Sequence, residues 1–247
     1  MTARRVVIVT GCIGGLGSAI VAGFAAEGWS VIGTDRFDEH ADESLDRYVA
    51  ADLSAIDGVD RFFADLGPLD RLDAVVNNAA IQVNQSLVDT DDATWEEVFR
   101  VNLDAAFRLI RQSAPLLAQT SGAIVNIGSV HSLATSSNVA AYAISKGALA
   151  TLTRTVALEL AHLDVRCNIV LPGAIRTPML LDGLGRRGTE SDREFEALVA
   201  RTPLGRVAEP EEIVPTVLHL ADPARSGFLT GQAIVIDGGA SLRLGTE

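Results

Sequence analysis

Residues 6–29 read VVIVTGCIGGLGSAIVAGFAAEGW, and this stretch decides the fold. Val6–Thr10 is a short run of β-branched apolar residues, the composition of a strand covered on both faces. Four glycines follow, Gly11, Gly14, Gly15 and Gly17. From Ser18 to Glu27 the pattern is helical. Strand, glycine turn and helix in this order form an anion site, because the turn lets backbone approach a pyrophosphate and the helix start offers unpaired N–H groups. Arg4 and Arg5 ahead of an acid-free apolar run superficially resemble a targeting segment. The glycines break that run at its middle, so a buried βα unit is expected, with neither secretion nor a membrane anchor.

Working outward, the same alternation recurs. Strands are expected at Ser30–Asp35, Leu72–Asn77, Ala123–Ile127, Val165–Leu171 and Ala233–Asp237, with a weaker one at Arg47–Ala51. Helices are expected at Ala55–Leu66, Trp95–Leu117, Ala140–His162, Asp192–Ala200 and Pro210–Ala221. Alternating strands and helices predict an α/β fold, a Rossmann-type doubly wound parallel sheet of about seven strands with helices on both faces. No repeat, low-complexity segment or linker divides the chain, so one domain over residues 1–247 is expected. The least regular stretch, about 176–206, carries Gly183, Gly185 and Gly188 and reads as a substrate-side lid.

Asp35 closes the second strand 18 residues beyond Gly17. That spacing fits a carboxylate that accepts hydrogen bonds from an adenosine ribose and repels a 2′-phosphate, which favours NAD(H) over NADP(H). Arg36 beside it is a candidate phosphate partner, which keeps NADP(H) in play; a turn-capping role for Asp35 is the plain alternative.

Composition removes other classes. The net charge is −12 with no basic run, which argues against nucleic acid and anionic membranes as partners. Cys12 and Cys167 make no disulfide framework and read as free thiols of a reducing, cytoplasmic compartment. Four scattered histidines give no metal-ligand spacing, and no metal is expected. Of 20 basic residues, 19 are arginine and Lys146 is the single lysine. Arginine replaces a surface lysine readily but not a compact ammonium in a tight site. A biased codon composition is the bland account.

The chain resembles the short-chain dehydrogenase/reductase family from Thr10 to Gly239. The loop TGCIGGLG carries its glycines at Gly11, Gly15 and Gly17, and Asp52-Leu53 matches its adenine-side pair. Asn77-Asn78-Ala79-Ala80 resembles the family's N-N-A-G, with Ala80 in place of glycine. Asn102 matches the family's helix asparagine, Ser129 its serine, and Tyr142 and Lys146 its Y-x-x-x-K pair. Pro172-Gly173 and Thr177, then Thr230-Gly231-Gln232 and Asp237-Gly238-Gly239, complete the series. The resemblance implies catalysis by Asn102, Ser129, Tyr142 and Lys146. It implies cofactor contacts from Gly11, Gly15, Leu16, Gly17, Asp35, Arg36, Asp52, Leu53, Asn78, Ala79, Tyr142, Lys146, Pro172, Gly173, Ile175 and Thr177. It also implies a homotetramer and a water-linked proton path through Asn102.

Tyr142 and Lys146 are four apart, so on a helix they share a face. A phenol ionises near about 10, and an ammonium nearby favours the phenolate. The expected chemistry follows. Tyr142 exchanges a proton with an alcohol or ketone, Ser129 holds the substrate oxygen, Lys146 lowers the Tyr142 pKa, and a hydride moves between substrate carbon and cofactor. On the substrate side His131 and Met179 join Ser129 and Tyr142 as contacts. Gln82 has the same standing as His131, and for both a turn-capping role is the simpler one. Arg186 and Arg187 are candidates for an acidic group or solvated loop residues. A small or medium secondary alcohol or its ketone is expected, of polyol, sugar, cyclic alcohol or hydroxy acid type. A non-catalytic NAD(H)-binding regulator on the same fold is the alternative, and the full set Asn102, Ser129, Tyr142 and Lys146 speaks against it.

Overall fold

The computed structural model describes residues 4–38, 42–185 and 191–242. Arg186, Arg187 and Gly188 lie outside the described residues. Seven strands, all parallel, stand in the order β3-β2-β1-β4-β5-β6-β7. They are β1 (Val6–Thr10), β2 (Ser30–Asp35), β3 (Arg47–Ala50), β4 (Ala74–Asn77), β5 (Ala123–Ile127), β6 (Arg166–Pro172) and β7 (Ala233–Ile236). The order reverses between β1 and β4, and that switch point opens a crevice at the strands' carboxyl ends.

The central strands β1, β4 and β5 are largely apolar because both faces are covered. Val7 and Val9 of β1 face one cluster, with Ile20, Val21 and Phe24 of α1 (Gly15–Ala26) and Val217 and Leu220 of α8 (Val214–Ala221). Ile8 between them faces the other, with Phe62 and Leu66 of α2 (Gly58–Leu66) and Leu109 and Leu117 of α4 (Ala105–Ala118). The period-two alternation of side chains in a strand assigns neighbours to opposite layers.

Three expectations differ in detail. The first helix begins at Gly15 rather than Ser18, so the last loop glycines form its first turn. The helix expected over Trp95–Leu117 is three pieces: α3 (Asp92–Phe99), a π-helical turn at Arg100–Asp104, and α4. A π turn inserts one residue into the ladder and re-aims the side chains around it, which periodicity cannot reveal. After α5 (Ala140–Glu159) and β6, the irregular stretch carries an unforeseen helix, α6 (Pro178–Gly185), before the expected one, α7 (Ser191–Arg201). A short helix, α9 (Pro223–Ser226), leads towards β7. Among the described residues no helix is long and apolar enough to cross a membrane.

Candidate active site

Thr10 ends β1 and ties two strands' loops together. Its hydroxyl accepts the backbone N–H groups of Asn78 and Ala79, each at 3.0 Å. The Asn78 amide returns the contact, donating to the carbonyls of Thr10 and Gly11 at 3.0 Å each. Gly11 turns the chain at φ +63°. A Cβ there would lie 2.8 Å from the Ala79 Cα, and one on Gly17 would lie 1.9 Å from the Gly11 carbonyl oxygen. Only bare backbone fits, which leaves the cradle a dinucleotide phosphate needs.

At the tip of β2 the Asp35 carboxylate accepts from the Ile13 N–H at 3.1 Å and the Arg36 N–H at 2.8 Å. It is therefore fixed to the glycine loop, facing the same cleft. The Arg36 guanidinium sits 5.2 Å from the Phe37 ring centroid. Asp52 is turned inward locally: it accepts from Ser54, whose hydrogen bonds hold its carboxyl below the usual range.

Helix α5 carries Tyr142 and Lys146, and both are buried. The helix is keyed to the sheet by a polar chain. Asn77 donates to Asn126 at 2.7 Å, Asn126 to Thr153 at 2.8 Å, and Thr153 to the Leu149 carbonyl. Ser129 follows β5 and caps a 3₁₀ turn at Val130–Ser132, accepting the His131 N–H at 3.2 Å. Its side chain also neighbours the Tyr142 phenol and favours the ionised form. The His131 ring meets the Tyr142 ring edge-on at 5.8 Å, and its Nδ1 pairs with Thr135 at 3.0 Å. Burial lowers the His131 pKa, so it is the neutral imidazole that faces Tyr142.

The pKa expected of Tyr142 is corrected here. Burial pushes the phenol up, and Ser129 only partly opposes it. The Lys146 ammonium does not deliver the expected lowering, because it donates to the Ile127 carbonyl at 2.8 Å and stands 5.7 Å from the Tyr142 ring centroid. Burial in turn drops Lys146 to about 8. Desolvation is the largest influence on both groups.

One cleft of about 1140 Å³ joins these parts. Single-ligand pockets run to roughly 1,000 Å³, so a dinucleotide and a small substrate fit together. Its wall includes Gly11, Gly15, Leu16, Gly17, Asp35, Arg36, Asp52, Leu53, Asn78, Ala79, Ser129, His131, Tyr142, Lys146, Pro172, Gly173, Ile175, Thr177 and Met179. Asn102 is the exception. It lies on the π turn behind the cleft, beside a cavity of about 10 Å³. Its amide accepts the Ile81 N–H at 2.8 Å and donates to the Ile81 carbonyl and the Ser145 hydroxyl at 3.0 Å each. Ser145 then donates to the Tyr142 carbonyl at 2.7 Å. The side chain is spent on holding two walls together, not on the cleft.

Sequence reasoning did not find Asn84, Glu97, Leu184, Glu194 and Arg201 on the cleft wall. They are ordinary polar or apolar residues of loops and amphipathic helices, with no spacing that marks them. Ser145, between Tyr142 and Lys146, carried the one usable signal, a polar residue next to two candidates on the same helix.

Doubly wound sheets bind dinucleotides at this crevice, and a phenol beside a hydroxyl and an ammonium suits proton exchange with an alcohol or carbonyl oxygen. Fold and site together define an oxidoreductase that works with a nicotinamide cofactor. Comparison with known proteins agrees. A family model described as enoyl-(acyl carrier protein) reductase matches residues 11–241. The 3-oxoacyl-[acyl-carrier-protein] reductase of Thermotoga maritima is 35% identical over 251 residues, covering 95% of this chain and 97% of the relative. Galactitol 2-dehydrogenase (L-tagatose-forming) of Cereibacter sphaeroides is 35% identical over 241 residues, covering 94% and 92%. A solved structure from Beutenbergia cavernae, described as a candidate NAD(P) dependent gluconate 5-dehydrogenase with NADP at low occupancy, superposes with a TM-score of 0.88 at 35% identity and 98% coverage of both chains. The chain belongs to the short-chain dehydrogenase/reductase family.

Proposed function

We infer that the protein transfers a hydride between NAD(H) and a small or medium secondary alcohol or its ketone, of polyol, sugar, cyclic alcohol or hydroxy acid type. The observation that carries this reading is the continuity of one cleft from the Asp35 carboxylate, past the glycine loop, to Ser129 and Tyr142 on the same wall. A bound nicotinamide supplies the hydride acceptor for oxidation or the donor for reduction. Tyr142 takes the alcohol proton or returns it. Ser129 hydrogen-bonds the substrate oxygen and helps the phenol to ionise. Lys146 holds the nicotinamide ribose. His131 and Met179 flank the substrate, and Asn102 positions the Tyr142 turn through Ser145. The positive ring of oxidised nicotinamide opposes the burial that keeps Tyr142 protonated, so proton loss is coupled to cofactor binding.

Asp35 supports NAD(H). Its charge, anchored by two backbone N–H groups, faces the region where a 2′-phosphate would lie. Relatives that act on galactitol or hold NADP supply the range to be tested. We read residues 1–247 as one NAD(P)-binding domain with a lid at 176–206, working in the cytoplasm as a homotetramer. Two buried unpaired cysteines suit a reducing compartment. Exposed apolar residues Ile144 and Leu158 of α5 and Val235 of β7 suit subunit contacts.

The test is a screen of polyols, sugars, cyclic alcohols and hydroxy acids with NAD and with NADP, read at the nicotinamide absorbance, for wild type and Tyr142→Phe. Turnover with NAD that falls at least a thousandfold in Tyr142→Phe is expected. Tight NADH binding without turnover on any substrate class identifies a regulator instead. Faster turnover with NADP than with NAD overturns the assignment of Asp35.

A further inference from the structure

Helix α6 crosses the substrate end of the cleft and is tied at two points. Its first residues rest on the glycine loop: a Cβ on Gly15 would lie 3.0 Å from the Pro178 Cδ and 3.3 Å from the Thr177 side chain. Further along, at Gly183, it is held from elsewhere. The Asn84 side-chain amide donates to the Gly183 carbonyl at 3.0 Å. Among the described residues this is the one side-chain hydrogen bond that reaches α6 from the body of the fold.

The direction of the bond follows from its chemistry. A carbonyl can only accept, so the Asn84 nitrogen faces it and the Asn84 oxygen faces the other way. There it accepts from the Gln82 amide at 3.0 Å. Three residues upstream of Asn84, Ile81 has both backbone groups clamped by Asn102. The chain Asn102–Ile81–Gln82–Asn84–Gly183 thus joins the scaffold beneath Tyr142 to the cover above it. Under that cover Leu184 is buried, and Met179 and Leu180 line the cleft with it.

We propose that Asn84 is the latch that holds α6 closed over the substrate end of the cleft, acting as a positioning residue that sets how firmly a substrate is enclosed. The hydrogen bond itself stands on geometry alone; its consequence for turnover rests on the oxidoreductase reading above. Closure by an apolar cover excludes water around the transferred hydride, and opening releases product. Losing the latch weakens enclosure without touching Asp35, the glycine loop or Tyr142.

The experiment uses the full chain with NADH bound, in wild type, Asn84→Ala and Asn84→Asp. The aspartate keeps the shape of asparagine but cannot donate to Gly183. Hydrogen–deuterium exchange read by mass spectrometry is expected to run about five- to tenfold faster over residues 179–185 in both variants, the effect of one ordinary hydrogen bond on a local opening equilibrium. NADH affinity, read by fluorescence titration, should stay within about twofold. With galactitol as the probe substrate, KM is expected to rise about five- to tenfold while kcat stays within about threefold. Unchanged α6 exchange in Asn84→Asp overturns the latch. So does faster exchange with KM for galactitol unmoved, because a bond of local structural value only would behave that way. Wild type that fails to oxidise galactitol bears on the functional reading for polyols, and the exchange measurement still decides the latch.

Discussion

Lys146 is the only lysine in the chain and is 2% exposed, in a cluster with no carboxylate to pair it. Its ammonium is satisfied by one carbonyl, that of Ile127. Burial lowers its pKa from 10.5 to about 8, so the folded state holds its proton less tightly than the unfolded chain does. Below pH 8 both states are charged and the full burial cost is present. Between pH 8 and 10.5 the native lysine loses its proton while the unfolded one keeps it, and the cost fades. Wild type should therefore gain about 3 kcal/mol of stability relative to Lys146→Met as pH rises from 7 to about 10, at roughly 1.4 kcal/mol per unit. Urea unfolding of the two proteins across that range measures it; a constant difference would mean that Lys146 titrates normally. Arginine, five donors in a rigid fork with a pKa above about 12, would carry an unrelievable charge in the same place. The lone lysine was legible in the sequence as a constraint, but its partner was not. That partner, the Ile127 carbonyl, lies 19 residues away in the chain and meets the ammonium only after folding.

At the scale of elements, the glycine loop was read correctly as a loop, and the structure separates its members. Gly14 precedes α1 with φ −63° and ψ 160°, a conformation open to any residue, and a Cβ there would meet only the Gly11 carbonyl oxygen at 3.4 Å. At Gly17 the same atom would sit at 1.9 Å. Gly14→Ala should keep NADH affinity within about threefold and Gly17→Ala should lose more than a hundredfold, since steric exclusion of backbone approach removes the phosphate cradle. Isothermal titration with NADH distinguishes them, and equal losses would make the loop a uniform hinge rather than a fitted turn. The helix containing Asn102 shows the limit of periodicity. Trp95–Leu117 scans as one helix, yet the π turn at Arg100–Asp104 is what sends the Asn102 amide to Ile81 and Ser145. That choice depends on groups 21 and 43 residues away, which no local pattern contains.

For the whole molecule, the apolar residues left outside matter most. Ile144 and Leu158 on α5 are 46% and 81% exposed, Val235 on the last strand 41%, and Phe228 ahead of that strand is fully exposed. Light scattering should give about four times the subunit mass of 26.0 kDa, and a mass of one subunit would return these residues to solvent. By itself the sequence determined the strand–helix alternation, the glycine turn with Asp35, and the spacing of Tyr142 and Lys146. These are local properties: side-chain period, backbone freedom and helical pitch act over a few residues. The order of strands at the cleft, the direction of the Tyr142 pKa, the withdrawal of Asn102 behind the wall and the tie between Asn84 and α6 were decided only in three dimensions. Each depends on desolvation or on a hydrogen-bond partner brought near by packing, and neither quantity exists until the chain has folded.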